Sequence, residues 1–159
     1  MSRRGLTLLE LLVALSVLGV LLALGVPRLN PDGQAVGQAA RGLAQQVTRA
    51  RLEAIRRNSF VGLLLDPGGA GRYLVFVDEN ANGTLDTGEL VIQEVRFGQG
   101  EWARVRLDRE RSTLGNLPLL FDPRGLPAKP ITATLVLTDR QGSAVKRVVI
   151  SQQGRARVE

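Results

Sequence analysis

Cysteine and histidine are both absent from the 159 residues of this chain. Their absence excludes a disulfide framework, a zinc or haem centre of the usual kind, and catalysis built on a Cys nucleophile or a His base. Most hydrolase and redox mechanisms go with them. The lack of cysteine does not fix the redox compartment, because a large enough core folds outside the cell without disulfides. Lysine is scarce as well. Lys129 and Lys146 are the only two, so arginine supplies 19 of 21 basic residues against 15 acids, for a net charge of +6. Such an excess suits polyanions, although a solvated face laced with arginine is the ordinary account of any single one. The acids are scattered, and Gly68-Gly69-Ala70-Gly71 lacks the lysine and helix start of a phosphate loop. No catalytic constellation is present, and an enzyme is not expected.

What is present is a foldable chain, 44% hydrophobic and 23% charged, of a length that suits one domain. The apolar run Leu6 to Val26 holds 21 residues and as a helix would span roughly 32 Å, the thickness of a hydrocarbon core. Arg3 and Arg4 precede it and only Arg28 follows closely, which places the N-terminus in the cytoplasm and the rest of the chain outside. Ala23-Leu24-Gly25 also fits a secretory signal cleavage site. Glu10 argues against that reading, because an unpaired carboxylate in an apolar span costs about 2.5–3.5 kcal/mol, and a disposable signal gains nothing from it. A cation within the membrane relieves the cost, and the new α-amino group of a neighbouring copy would serve.

Beyond the span, Pro27, Pro31 and Gly33 are expected to break or loosen the helix. From Val36, the apolar residues Ala40, Leu43, Val47, Ala50 and Ala54 recur at helical spacing, predicting a second helical half to about Arg57 with this stripe under a sheet. Eight β-rich runs follow: 60–65, 73–77, 90–97, 102–107, 119–121, 132–137, 145–150 and 155–158, separated by turns such as Asn82-Gly83 and Gln141-Gly142. The expected class is α+β, a long N-terminal helix packed on antiparallel β-sheets.

Arg3-Arg4-Gly5 followed by Leu6-Thr7-Leu8-Leu9-Glu10 resembles the class III leader of type IV pilins and type II secretion pseudopilins. The resemblance implies cleavage by a prepilin peptidase between Gly5 and Leu6, N-methylation of Leu6, and filament assembly through Glu10 and Pro27, which would stand at the fifth and twenty-second mature positions. Leu6 occupies a place where Phe or Met is usual. Across nearly the whole chain the β region resembles the GspH/FimT family of minor pilins and pseudopilins. That likeness is carried by Ala50 to Arg56, Phe76-Val77-Asp78, Phe121-Asp122-Pro123-Arg124-Gly125 and Gly154-Arg155-Ala156-Arg157. It implies a type IV pilin-like fold: a leader at 1–5, a transmembrane and filament-core helix at 6–26, an outer helical half at 27–58 and a β-rich head at 59–159. It implies an inner-membrane protein with a periplasmic head that then enters a filament. The partners would be other pilins or pseudopilins, the peptidase and an inner-membrane assembly platform.

Two segments stand out as sites. Asp78, Asn80, Asn82, Gly83, Asp86 and Glu89 satisfy positions 1, 3, 5, 6, 9 and 12 of a calcium loop, with the Thr84 carbonyl at position 7. Weak calcium binding is one reading, and a polar hairpin whose Asn and Asp form turns is the other; no cofactor is otherwise required. Arg155 and Arg157 alternate on a strand and project to one face, as a phosphate-binding pair would. In minor pilins of similar sequence the terminal Gly-Arg-x-Arg is associated with DNA binding during natural transformation, and Gly154, Arg155 and Arg157 match it. An edge strand using Arg against aggregation is the alternative. Lys146 and Arg147 could widen the patch but alternate to opposite faces. With no aromatic residue interleaved, binding to double-stranded DNA would be phosphate-led and salt-dependent. Arg104, Arg106, Arg109 and Arg111 alternate too, but Glu101, Asp108 and Glu110 offset them. A DNA-binding minor pilin of a type IV pilus is the expected function, and a type II secretion pseudopilin contacting proteins is the alternative.

Overall fold

A computed structural model describes residues 7–25, 31–113, 118–130 and 132–159, with backbone only for 22–25. The chain divides into two units at Asn30 and Pro31, each of which has its own logic.

The first unit is helix α1, Leu8–Gly25. Thr7 starts it: its Oγ1 accepts from the Glu10 N–H at 3.3 Å and its carbonyl from the Leu11 N–H at 3.1 Å. Thr-x-x-Glu is a capping-box spacing, so Glu10 also sits where a carboxylate suits the positive end of a helix. The large apolar side chains between Leu8 and Leu21 are exposed all round, the pattern of a helix made for an apolar environment. The Ser16 hydroxyl is satisfied within the helix by the Leu12 carbonyl. At 18 residues α1 rises about 27 Å, short of a hydrocarbon core of roughly 30 Å. No helix among the described residues is long and apolar enough to cross a membrane. Leu6 and Val26, the ends of the expected span, and Pro27 with its expected break lie outside the described residues.

The second unit begins with helix α2, Pro31–Arg57. Pro31 and Gly33 do not loosen it, contrary to expectation. Pro31 is the first helical residue, where a missing N–H costs nothing, and Asp32 in the first turn suits the dipole. The buried stripe is Val36, Ala39, Ala40, Leu43, Val47, Ala50 and Ala54, mostly small residues that let strands approach the helix axis. Asn58, at φ +50, ends the helix in the left-handed conformation that asparagine tolerates.

The strands form two four-stranded antiparallel sheets. The first is ordered β3-β2-β1-β5, with β1 Phe60–Asp66, β2 Arg72–Asp78, β3 Val91–Arg96 and β5 Leu119–Phe121. The second is ordered β4-β6-β7-β8, with β4 Val105–Asp108, β6 Ala133–Asp139, β7 Val145–Ile150 and β8 Ala156–Val158. The expected strand from Trp102 starts only at Val105. Gly98 and Gly100, at φ +78 and +50, turn the chain into a 3-10 helix, Gly100–Trp102, first. Alternate residues of both sheets, among them Leu63, Val75, Phe121, Leu135 and Val148, join the α2 stripe in one core. Both sheets therefore pack on α2, with β3, β5, β4 and β8 at their edges. The β5 edge is bridged by the segment 126–128, and the β4 edge donates to the loop carbonyl of Ala70.

Candidate nucleic-acid interface at an edge strand

Strand β8 lies at the rim of the second sheet, paired among the described residues only with β7: Ile150 faces Ala156, Val149 faces Arg157 and Val148 faces Val158. Ala156 and Val158 turn toward the core side, while Arg155 and Arg157 are exposed on the other, as the alternation requires. Gly154 fixes where this strand begins. It is buried at φ +72, and a Cβ there would lie 2.5 Å from the Phe121 ring and 3.0 Å from Pro127. A tight turn closed by Gly154 N–H to the Ser151 carbonyl (2.8 Å) and Ser151 N–H to the Arg155 carbonyl (2.9 Å) presents the arginines. Glycine is required by contact with the first sheet, which sequence reading alone does not show. Beside the strand runs an open groove of about 680 Å³ lined in part by Thr132, Ser151, Gln153, Arg155 and Arg157. Arg157 pairs with Glu159 at 2.7 Å, whereas the Arg155 guanidinium has no ion pair among the described residues. Two forked cations over a groove can bind phosphate oxygens bidentately.

Several other arginines are engaged, whereas Arg41, Arg49, Arg51, Arg106, Arg109 and Arg147 have no ion pair among the described residues. Arg104 reaches Asp32 at 3.0 Å and Arg111 reaches Asp108 at 3.4 Å. Arg124 is held by Asp122 at 2.8 Å. Burial pushes the Asp122 carboxyl up, but the Leu126 N–H and Arg124 outweigh it and hold it below its ordinary value.

The Asp78–Glu89 loop brings its polar side chains together, and they bond mainly to one another and to the loop backbone. Asp78, fully buried, accepts from the N–H groups of Asn82 (3.2 Å) and Gly83 (2.7 Å). Asp86 accepts from Asn80 (2.8 Å) and Asn82 (2.5 Å), and these donors hold its carboxyl below its ordinary value. Glu89 accepts from the N–H groups of Glu79 (3.1 Å) and Asp86 (2.9 Å). The Thr84 N–H and hydroxyl go to Asn82. Among the described residues no group of three or more acidic side chains stands arranged to hold a metal ion. At the N-terminus, Glu10 is exposed on α1, while Gly5, Leu6 and Pro27 lie outside the described residues.

The sequence pattern of the family described as Type II transport protein GspH matches residues 39–154, and the prokaryotic N-terminal methylation motif matches residues 1–26. Arg155 and Arg157 thus fall just past the family's matched segment. The pilin-like protein PilA1 of Thermus thermophilus is 68% identical over 159 residues, covering all of both chains. Two solved structures share the fold at 18% identity. The type IV minor pilin FimU of Pseudomonas aeruginosa has a TM-score of 0.57 over 78% of this chain and 87% of its own. The minor pseudopilin EpsH of the Vibrio cholerae type II secretion system has 0.55 over 78% and 95%. A head of two antiparallel sheets packed on one helix, preceded by a methylation motif, is thus matched in sequence over most of its length, and the chain belongs to the GspH family of pilin-like proteins.

Proposed function

We propose that this chain is a minor pilin of a type IV pilus that binds double-stranded DNA for natural transformation through Arg155 and Arg157. The observation that carries the reading is the exposed arginine pair Arg155, just before edge strand β8, and Arg157, within it, both lining an open groove. A site of this kind reads phosphates and no sequence, and its affinity falls steeply with salt. In fluorescence anisotropy of the full chain in detergent micelles with a labelled duplex, the Arg155→Ala/Arg157→Ala variant should lower the salt slope by about two. Equal binding by that variant places DNA elsewhere, and no binding at low salt leaves the second reading, a type II secretion pseudopilin with protein partners. The match to the type II transport family favours that alternative.

Assembly follows from the N-terminus in either case. A prepilin peptidase cuts between Gly5 and Leu6 and Leu6 is methylated; the helix stays in the inner membrane with the head in the periplasm until an assembly platform adds it to a filament. Glu10 neutralises the terminal ammonium of a neighbouring pilin, and the buried pair sets register. Glu10→Ala should insert normally yet be absent from purified filaments, and its normal incorporation would refute the pairing.

A further inference from the structure

Resting on the DNA reading above, we propose that Arg147 is a further phosphate contact of the same site and that Glu159 is a competitor built into it. The register sets Arg157 opposite Val149, and Arg147 and Glu159 exchange N–H to carbonyl bonds at 3.0 and 2.8 Å. Residues paired in this way project to the same side of a sheet. Arg147, Arg157 and Glu159 therefore share one outer face, and Arg147 and Arg157 are diagonal neighbours, about 7–8 Å apart at the backbone. Arg147 is exposed, and its guanidinium has no ion pair among the described residues. Lys146 alternates to the opposite side, where it sits across from Leu137 of the core layer.

Glu159 lies between the two cations. Its backbone pairs with Arg147 and its carboxylate holds Arg157 at 2.7 Å, with the two side chains 47% and 73% exposed. A phosphate that takes Arg157 must displace that carboxylate. An exposed pair of this kind weakens a competing ligand by at most about fivefold, so Glu159 lowers affinity without closing the site. A lone phosphate meets this competition in full. A duplex engages Arg155 and Arg147 at the same time and displaces the carboxylate from an anchored position, so the device favours a polyanion over small anions.

The test uses anisotropy titrations of the full chain in detergent micelles, with a labelled DNA duplex over a salt series. Arg147→Ala and Glu159→Gln are compared with the unaltered chain and with Glu79→Gln, a charge-matched control in the loop of the first sheet. Arg147→Ala should lower the salt slope by about one. Glu159→Gln should tighten binding about three- to fivefold at fixed salt, and Glu79→Gln should leave it unchanged. If the first two variants match the unaltered chain, or if Glu79→Gln tightens binding as much as Glu159→Gln, the inference is overturned while the DNA reading stands. Absence of binding by every variant at low salt overturns both.

Discussion

The Asp78–Glu89 loop and the β8 edge are both short, charged segments at the ends of strands, yet they use their charge in opposite ways. The loop spends its carboxylates inward: Asp78, Asp86 and Glu89 accept from the loop's own backbone and amide groups. The β8 edge leaves the Arg155 fork unpaired among the described residues and gives Arg157 only an exposed partner. A carboxylate whose acceptor sites are partly taken by its own loop gains less from a ligand, whereas a solvated cation on a rim is free to exchange water for a charge-assisted bond. Hydrogen-bond satisfaction, not residue type, separates a segment that builds the fold from one free to bind.

The strongest break of this comparison is Gly154→Ala. A left-handed backbone with an added Cβ costs about 1–2 kcal/mol, and intrusion on the Phe121 ring adds about 1–3 kcal/mol. Chemical denaturation should show a loss of about 2–5 kcal/mol, with DNA binding weakened though both arginines remain. A fully stable variant would show that the turn is not locked on the first sheet. Asp78→Ala comes next: two N–H groups lose a buried acceptor, for about 1–3 kcal/mol, whereas Arg155→Ala/Arg157→Ala should stay within about 0.5 kcal/mol of the unaltered chain. The same closure predicts no heat when millimolar calcium is titrated into the protein. Heat that vanished in Asp78→Ala would show instead that the loop opens to the ion.

The smallest effect is with pH. Asn80 and Asn82 hold Asp86 below its ordinary 3.8, and Arg56 and Arg57 hold Glu53 below its ordinary 4.5. A carboxyl depressed in the folded state contributes stability that is present above its unfolded pKa and lost as pH falls through the folded one. The thermal midpoint should therefore be level from neutrality to about pH 5 and decline below about pH 4. Phosphate binding by arginine should not change between about pH 5 and 8, because arginine does not titrate there. A midpoint that rose on acidification would contradict the assigned hydrogen bonds.

Much of this architecture was legible in the residues. The 3.6-residue period of Val36, Leu43, Val47 and Ala54 named the buried face of α2, and alternation placed most strands to within a residue or two. Two local readings failed for one reason. A proline is a break or a first helical residue depending on what precedes it, and Trp102 is apolar whether it lies in a strand or a 3-10 turn; local composition does not decide either case. Thr7 with Glu10 offered a capping signal that the cost of burying Glu10 overshadowed.

The sequence by itself determined the periodic elements, the methylation motif and the arginine pair, because each depends on spacing along one stretch of chain. Only the tertiary structure decided that Gly154 must be glycine, that the carboxylates of the loop accept from their own loop, and that Arg147 and Glu159 join Arg157 on one face. Those facts depend on Phe121 of another sheet, on backbone N–H groups that a folded turn aims, and on a strand register. Contacts between residues distant in sequence are fixed by packing, and no local pattern encodes them.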